Sequence, residues 1–381
     1  MPNDRVADTI IVGGGIHGCS TALHLARRGM SVIVIEKDYM GRHASGVNAG
    51  GIRRLGRHFA EIPLAVASAQ MWHEMQGLVD DDCGFLPSCQ IKVAETKDEL
   101  DQLKSRAAQV QDLGFTHEQI IDMDTLRERL PAVSPHCLGA MIVEGDGSAN
   151  PFRTVHAFRK KCIELGVQFE VGMKVRNIRS SGNIWSVQTC NTHFEAPNLV
   201  NCAGAWGGKI SAMLGEPVPI IAKAPMLMIT GRMPRFISAV AGAQGRPLSF
   251  KQFENGTVMI GGGHEGHANL DTNETLLDYA GLAANARTAA DIFPIMRKAR
   301  IVRSWAGIEG MMPDNIPVIS PSQNEGVYHA FGFSAHGFQL GPIGGQVISD
   351  LVLEGKTELP IAPFSIERFS ENRNSHNDLL D

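Results

Sequence analysis

Apolar and polar positions along the chain change period several times, and the changes mark its elements. Thr9-Ile10-Ile11-Val12 is a short, continuous β-branched run, the pattern of a strand buried on both faces. Gly13-Gly14-Gly15 follows at once. Ile16 to Arg28 then reads as a helix, with Ala22, Leu23, Leu25 and Ala26 as strong helix formers and Gly29 as the stop. Ser31 to Ile35 is a second buried strand. A strand–turn–helix–strand unit therefore opens the chain.

Residues 40–58 mix Gly, Arg, His and Ser and read as loop or loop-flanked helix. Further helices are predicted over Ile62–Val79, Lys97–Leu113, Asp124–Leu130, Phe152–Leu165, Leu276–Ile292 and Ile343–Leu353. Strands are predicted over Gln90–Ala94, Gln168–Val171, Val175–Ile178, Ser186–Thr189 and Leu199–Cys202. Pro225–Ile229, Leu248–Phe253 and Thr257–Ile260 read as strands of a separate sheet. Asp146 to Pro151 reads as a turn, and the glycine-rich stretch after Trp305 as loops.

Composition narrows the class. A chain of 381 residues exceeds one ordinary domain, so two domains are expected. Hydrophobic residues at 43% and charged residues at 20% describe a soluble globular protein. The net charge of −5, without a run of like charges, argues against nucleic acid or a membrane surface as partner. The seven cysteines form no CxxC pair, so neither a disulfide framework nor a metal site is implied. Met1 to Asp8 lacks the apolar run of a signal peptide, and no stretch of 18 apolar residues occurs. A cytoplasmic location is the simplest expectation.

Chemistry enters with Gly13, Gly15 and Gly18, a G-x-G-x-x-G that follows a strand and opens a helix. One glycine permits the tight turn. One lets the backbone approach a pyrophosphate, and one lets helix and strand pack closely. The helix N-terminus then offers free N–H groups and a positive dipole end to the phosphates. Glu36 ends the second strand, 18 residues after Gly18. A carboxylate there accepts hydrogen bonds from ribose hydroxyls and repels a 2′-phosphate, which disfavours NADP.

Four segments resemble the D-amino-acid oxidase and sarcosine oxidase family of flavoproteins: IIVGGGIHG…VIVIEK, HASGVNAGGIR, NCAGAWGGKI, and SWAGIEGMMPDNIPVI…YHAFGFSAHGFQLGP. They stand in the family's order and spread over most of the chain. The resemblance implies an α/β fold. A Rossmann-type FAD-binding domain (1–85, 140–220 and 301–381) would be intertwined with a substrate domain (86–139 and 221–300) built on a mixed β-sheet with helices. It implies FAD, held by Gly13, Gly15, Ile16, His17, Gly18, Glu36 and Lys37. The loop across the pyrophosphate would add His43, Ala44, Ser45, Asn48, Ala49, Gly50, Gly51 and Ile52. Val175, Ala203, Gly204 and Trp206 would lie under the cofactor. Gly307, Gly332, Phe333, Ser334, His336, Gly337, Phe338 and Gln339 would cradle the isoalloxazine ring. Non-covalent binding is expected. A His-Ala-Ala-Gly context carries covalent flavin in the dimethylglycine dehydrogenase branch, and His43 is the residue such a link would use.

The implied reaction is loss of the α-hydrogen of a bound neutral amine as hydride to flavin N5. The site must then supply orientation and electrostatics. The closest match is the sarcosine oxidase branch, including β subunits of heteromeric enzymes. There Arg53 falls on the arginine that grips the substrate carboxylate, a task suited to the guanidinium fork. Arg54 and Arg57 flank it, so a solvated basic face is the competing reading. Gln339 replaces the branch's lysine, His264 matches its active-site histidine, and His336 reads as supporting the flavin. Glu309 stands where glycine-oxidase-like members carry an arginine. It leaves room for a second positive group on the substrate, against the plainer reading of an exposed glutamate.

The expected partners are a small amine or amino acid and an electron acceptor: oxygen, a quinone or a partner subunit. The strand Val258 to His264 lacks the lysine that sarcosine oxidases place near N5, which favours a dehydrogenase slightly over an oxidase. Lys251, one hairpin earlier, is the residue that would undo this argument. The second hypothesis is a flavin-bearing β subunit of a hetero-oligomer. The third is a nicotinamide-dependent Rossmann dehydrogenase, in which the FGFSAHGF segment and the HASG loop would have no task.

Overall fold

The computed structural model describes residues 5–190 and 192–370. The opening unit lies at the centre of a six-stranded sheet. In spatial order its strands are Val318–Pro321, Val327–Phe331, Asn198–Asn201, Thr9–Val12, Val32–Glu36 and Gln168–Val171. All pairings are parallel except that of the Val318–Pro321 edge. Both faces are covered, which is why these strands read as unbroken apolar runs. Ile11, Val34 and Val200 pack under helices that include Ile16–Arg27 and Gly337–Glu354. Ile10, Val12, Ile33 and Ile35 face a three-stranded antiparallel sheet carrying Ile178, Trp185, Val187 and Phe194.

A second, eleven-stranded mixed sheet runs in the order Ile301–Ala306, Ile221–Thr230, Val258–Asn269, Ser249–Gln252, Val240–Ala243, Leu86–Ala94, Gly139–Ser148 and Gly51–Ile52, with three short strands pairing alongside. One face of it is apolar. Ile91, Ala241, Phe250 and Ile260 pack there against Leu282, Ala289 and Ile292 of the helix Tyr279–Ile292. The strands 139–148, 301–306 and 309–311, expected on the cofactor side of the division, hydrogen-bond into this larger sheet.

Four local expectations change. Asp146-Gly147-Ser148 is strand and not turn, because the buried Asp146 carboxylate is satisfied internally by Arg54 N–H, Arg54 Nε and Leu55 N–H. The helix expected over 62–79 is interrupted at Glu74. The stretch after Trp305, expected as loops, holds the strands 309–311, 318–321 and 327–331. The last helix begins at Gly337, six residues early. Its glycines are a helix–helix contact and not loop: a Cβ at Gly341 would overlap Ile16, and one at Gly345 the backbone of Ser20.

Candidate active site

A cleft of about 900 Å³ lies between the strand ends of the smaller sheet and the polar face of the larger one. That is within the size of small-molecule and cofactor sites. Its first wall is largely backbone. Gly13 has φ +110°, and a Cβ there would overlap the carbonyl oxygen of Cys202. Gly15 caps the first helix and lines the cleft; a Cβ on it would stand 2.8 Å from Ser45 Oγ, which also accepts the Ile16 N–H at 3.0 Å. Gly18 does not line the cleft. A side chain there would collide with the Gly13 carbonyl, so its part is to seat helix on strand.

Glu36 reaches the cleft at the end of its strand, with Oε2 accepting the Gly14 N–H (2.7 Å) and Oε1 the Asp38 N–H (2.8 Å). Burial raises its pKa, against the pull of those two amides. Lys37 donates to Asp38 (2.6 Å) and Asn273 (2.7 Å) and lies 3.8 Å over the Trp206 ring. His43 Nε2 sits 2.9 Å from Asp38, and burial lowers its pKa.

The loop expected across the pyrophosphate brings Ala44, Ser45, Asn48, Ala49, Gly50 and Gly51 to the cleft. Asn48 stitches it, donating to Ala44 O (2.8 Å) and accepting from Gly50 N–H (2.7 Å). Ile52 is buried beneath it and does not line the cleft. Val175, Ala203, Gly204 and Trp206 line the opposite side. Gly307, Gly332, Phe333, His336, Gly337, Phe338 and Gln339 complete the wall. Ser334 turns away: its hydroxyl donates to Gly332 O (3.2 Å) and accepts the Met312 N–H (2.9 Å).

These residues fit a bound dinucleotide. The glycine path admits backbone only, and the carboxylate stands at the adjacent strand end. His17, stacked on Phe333 at 3.5 Å, lies on the cleft wall with both ring nitrogens buried and without a hydrogen-bond partner among the described residues. Burial lowers its pKa to about 3, so the ring is neutral.

At the other end the side chains carry the chemistry. Arg53 Nη1 donates to Leu55 O (2.8 Å), and among the described residues its other donors meet no partner. It lines the cleft, and burial lowers its pKa. A guanidinium nevertheless stays charged. Its neighbours make no solvated basic face. Arg54 is ion-paired to the buried Asp146 (2.8 Å), and Arg57 is itself buried, its Nε on Arg53 O (2.9 Å). Burial lowers Arg57 to about 9.

His336 Nδ1 stands 2.8 Å from Glu61. Burial brings the imidazole to about 4. Burial pushes Glu61 the other way, but its bond with His336 and the nearby arginines hold it below its ordinary value. The pair is therefore a neutral ring donating to a carboxylate. Gln339 spends its amide donor on Ala65 O (2.8 Å) and its backbone carbonyl on Ser68 and Trp72. It braces the helix Ile62–His73 and has little left for a ligand. His264 is half-buried on the cleft wall.

The structure thus brings Arg53, His264, His336 and Gln339 to one cleft. It adds Gln90 and Lys92, which the sequence did not single out, and it brings Arg57, Lys251 and Glu309 to the same cleft. Glu309 is not an exposed surface glutamate: it lines the cleft and accepts the Ala335 N–H (2.8 Å), while burial pushes it up to about 7. Burial also brings Lys251 down to about 8.

Residues 8–351 match the family described as FAD dependent oxidoreductase. The chain is 27% identical to the hydrogen cyanide synthase subunit HcnC of Pseudomonas aeruginosa, over 96% of this chain and 97% of that protein. It is 26% identical to glycine oxidase of Geobacillus kaustophilus, over 95% and 97%. Among solved structures it superposes on L-proline dehydrogenase from P. horikoshii with a TM-score of 0.89 and 26% identity, covering 97% of this chain and 99% of that one.

Proposed function

We propose, from the premise that this chain belongs to the family of FAD-dependent oxidoreductases, that it oxidises the C–N bond of an amino-acid-like amine. The candidates are a secondary amine such as sarcosine, D-proline, D-hydroxyproline or an opine, or a D-amino acid. The observation that carries the reading is Arg53: a guanidinium on the cleft wall, directly after the loop expected over the cofactor, with no carboxylate partner of its own among the described residues. FAD, when bound, supplies the two-electron acceptor. Arg53 takes the substrate carboxylate in a bidentate grip and fixes which C–H bond faces the ring. His336, kept neutral and oriented by Glu61, presents its remaining nitrogen without adding charge.

His43 is committed to Asp38, which supports a flavin held without a covalent link. Acid precipitation that releases all the flavin tests this. The strand Val258 to His264 lacks a lysine, the feature that favours a dehydrogenase. Register sets Lys251 directly across from Met259, on the cleft wall, so a lysine does lie beside that strand and neither acceptor is favoured. Stopped-flow reoxidation by dissolved oxygen against a quinone decides the acceptor.

A second reading, a flavin-bearing subunit that works only with partner chains, is supported by the subunit naming of HcnC. Purification from the native source tests it. For the main reading, anaerobic flavin bleaching with a panel of amino-acid-like amines is expected, with the imine trapped as product. No bleaching by any member would overturn it.

A further inference from the structure

The polar face of the large sheet is the substrate-side wall of the cleft, and its charges are unequal. Residues directly opposite across a ladder share a face. Lys251 stands opposite Met259, Val240 opposite Gln90, and Gly242 opposite Lys92. The alternate row, Ala241, Phe250 and Ile91, lies in the apolar core on the other side. Lys251, Gln90 and Lys92 therefore point the same way, and all three line the cleft. Lys251 and Lys92 are two strands and two residues apart, about 12 Å between Cα atoms for standard sheet spacing.

Neither lysine has an ion pair or hydrogen bond among the described residues, and Lys251 is only 6% exposed. Its ammonium stands 4.8 Å from the centre of the Phe253 ring. The cleft's carboxylates are occupied elsewhere: Glu36 by two backbone amides, Glu265 by Lys223 and Glu309 by the Ala335 N–H. Lys92 lies beside Arg53, both within 4 Å of the position a Cβ on Gly56 would take. One end of the wall therefore offers Arg53 with Lys92, and the other offers Lys251. Buried, unpaired cations are costly unless a ligand supplies the anion. A single α-carboxylate neutralises only one end.

We propose that the substrate is an amine bearing two carboxylates, the first held by Arg53 with Lys92 and the second by Lys251, with the Gln90 amide between them. This rests on the amine-oxidation reading above and names its substrate class. The second carboxylate lies either on the other substituent of a secondary amine or on the side chain of an α-amino acid.

The test uses the FAD-loaded protein and two unoxidisable analogues in which sulfur replaces the amine nitrogen: thiodiacetate and (methylthio)acetate. Binding is read by calorimetry and by perturbation of the flavin spectrum. Thiodiacetate is expected to bind at least about tenfold more tightly, the usual scale of one added charge-assisted hydrogen bond. Lys251→Met should bring that ratio to within about twofold of unity, and Lys251→Arg should restore it. Equal affinities in the parent protein would overturn the proposal. So would a ratio untouched by Lys251→Met together with an altered ligand-free flavin spectrum, which would assign the lysine to the cofactor. If neither analogue binds, the amine reading fails as well. Flavin bleaching by N-(carboxymethyl) amino acids, compared with D-aspartate and D-glutamate, distinguishes the two placements of the second carboxylate.

Discussion

The two walls of the cleft are built on different principles. The wall formed by residues 12–51 and 203–206 works largely through absences: glycines with no side chain and a helix end whose Gly15 cap offers no side-chain hydrogen bond. The wall formed by the large sheet works through presences: Arg53, Gln90, Lys92 and Lys251 projecting from alternate positions over an apolar underside. A wall of backbone is specific for a shape that many ligands share, which suits a dinucleotide cofactor. A wall of side chains is specific for a charge pattern and can be retuned without disturbing the fold. That difference separates what family membership shows from what it leaves to each member.

The contrast can be broken from either side. Gly15→Val should give the largest effect, a protein that purifies nearly free of flavin while its far-ultraviolet circular dichroism stays normal, because the added methyls enter the pyrophosphate path. Retained yellow colour would show that the glycine wall is looser than described. Next comes Arg53→Lys, whose ammonium cannot reproduce the fork. kcat/KM on a carboxylate substrate should fall by about 2–5 kcal/mol in transition-state terms, with flavin content unchanged. Unchanged kinetics would remove Arg53 from the site.

Gly345→Ala should cost roughly 1–3 kcal/mol of stability, since its Cβ would press on the Ser20 backbone, which cannot swing aside. Denaturant unfolding measures it, and a neutral result would mean the two helices slide apart freely. The smallest effect belongs to Glu309. Burial raises its pKa from 4.5 to about 7, so the folded state holds a proton that the unfolded state has released between those values. Stability from this group therefore falls as pH rises from about 4.5 to about 7. Glu309→Gln should raise the thermal midpoint of the flavin-free protein by roughly 2–4 °C at pH 8 and leave it unchanged near pH 4. A gain at both pH values would point to packing and not to charge.

The backbone wall was legible in the sequence because its devices are local. Gly13, Gly15, Gly18 and Glu36 lie within one strand–turn–helix–strand unit, and their spacing alone fixes their relation. Gly18, Ile52 and Ser334 are informative exceptions. Each belongs to a matched segment, yet only the packing shows that one seats a helix, one fills the core and one braces a turn. The alternation Ser88, Gln90, Lys92 against Cys89, Ile91, Val93 was a readable signal of a half-buried strand with a polar face. What that face looks into was not readable from it.

By itself the sequence determined the fold class and the kind of cofactor, because these follow from short-range periodicity and from glycines whose backbone freedom no other residue matches. Tertiary structure decided the rest. Lys92 and Lys251 are 159 positions apart in the chain and are brought onto one face through two intervening ladder steps. Whether a cation there is neutralised depends on which carboxylates have already been taken by amides and lysines elsewhere. Electrostatic pairing acts through space across segments distant in sequence, so only the folded chain reveals which charges are left for a ligand.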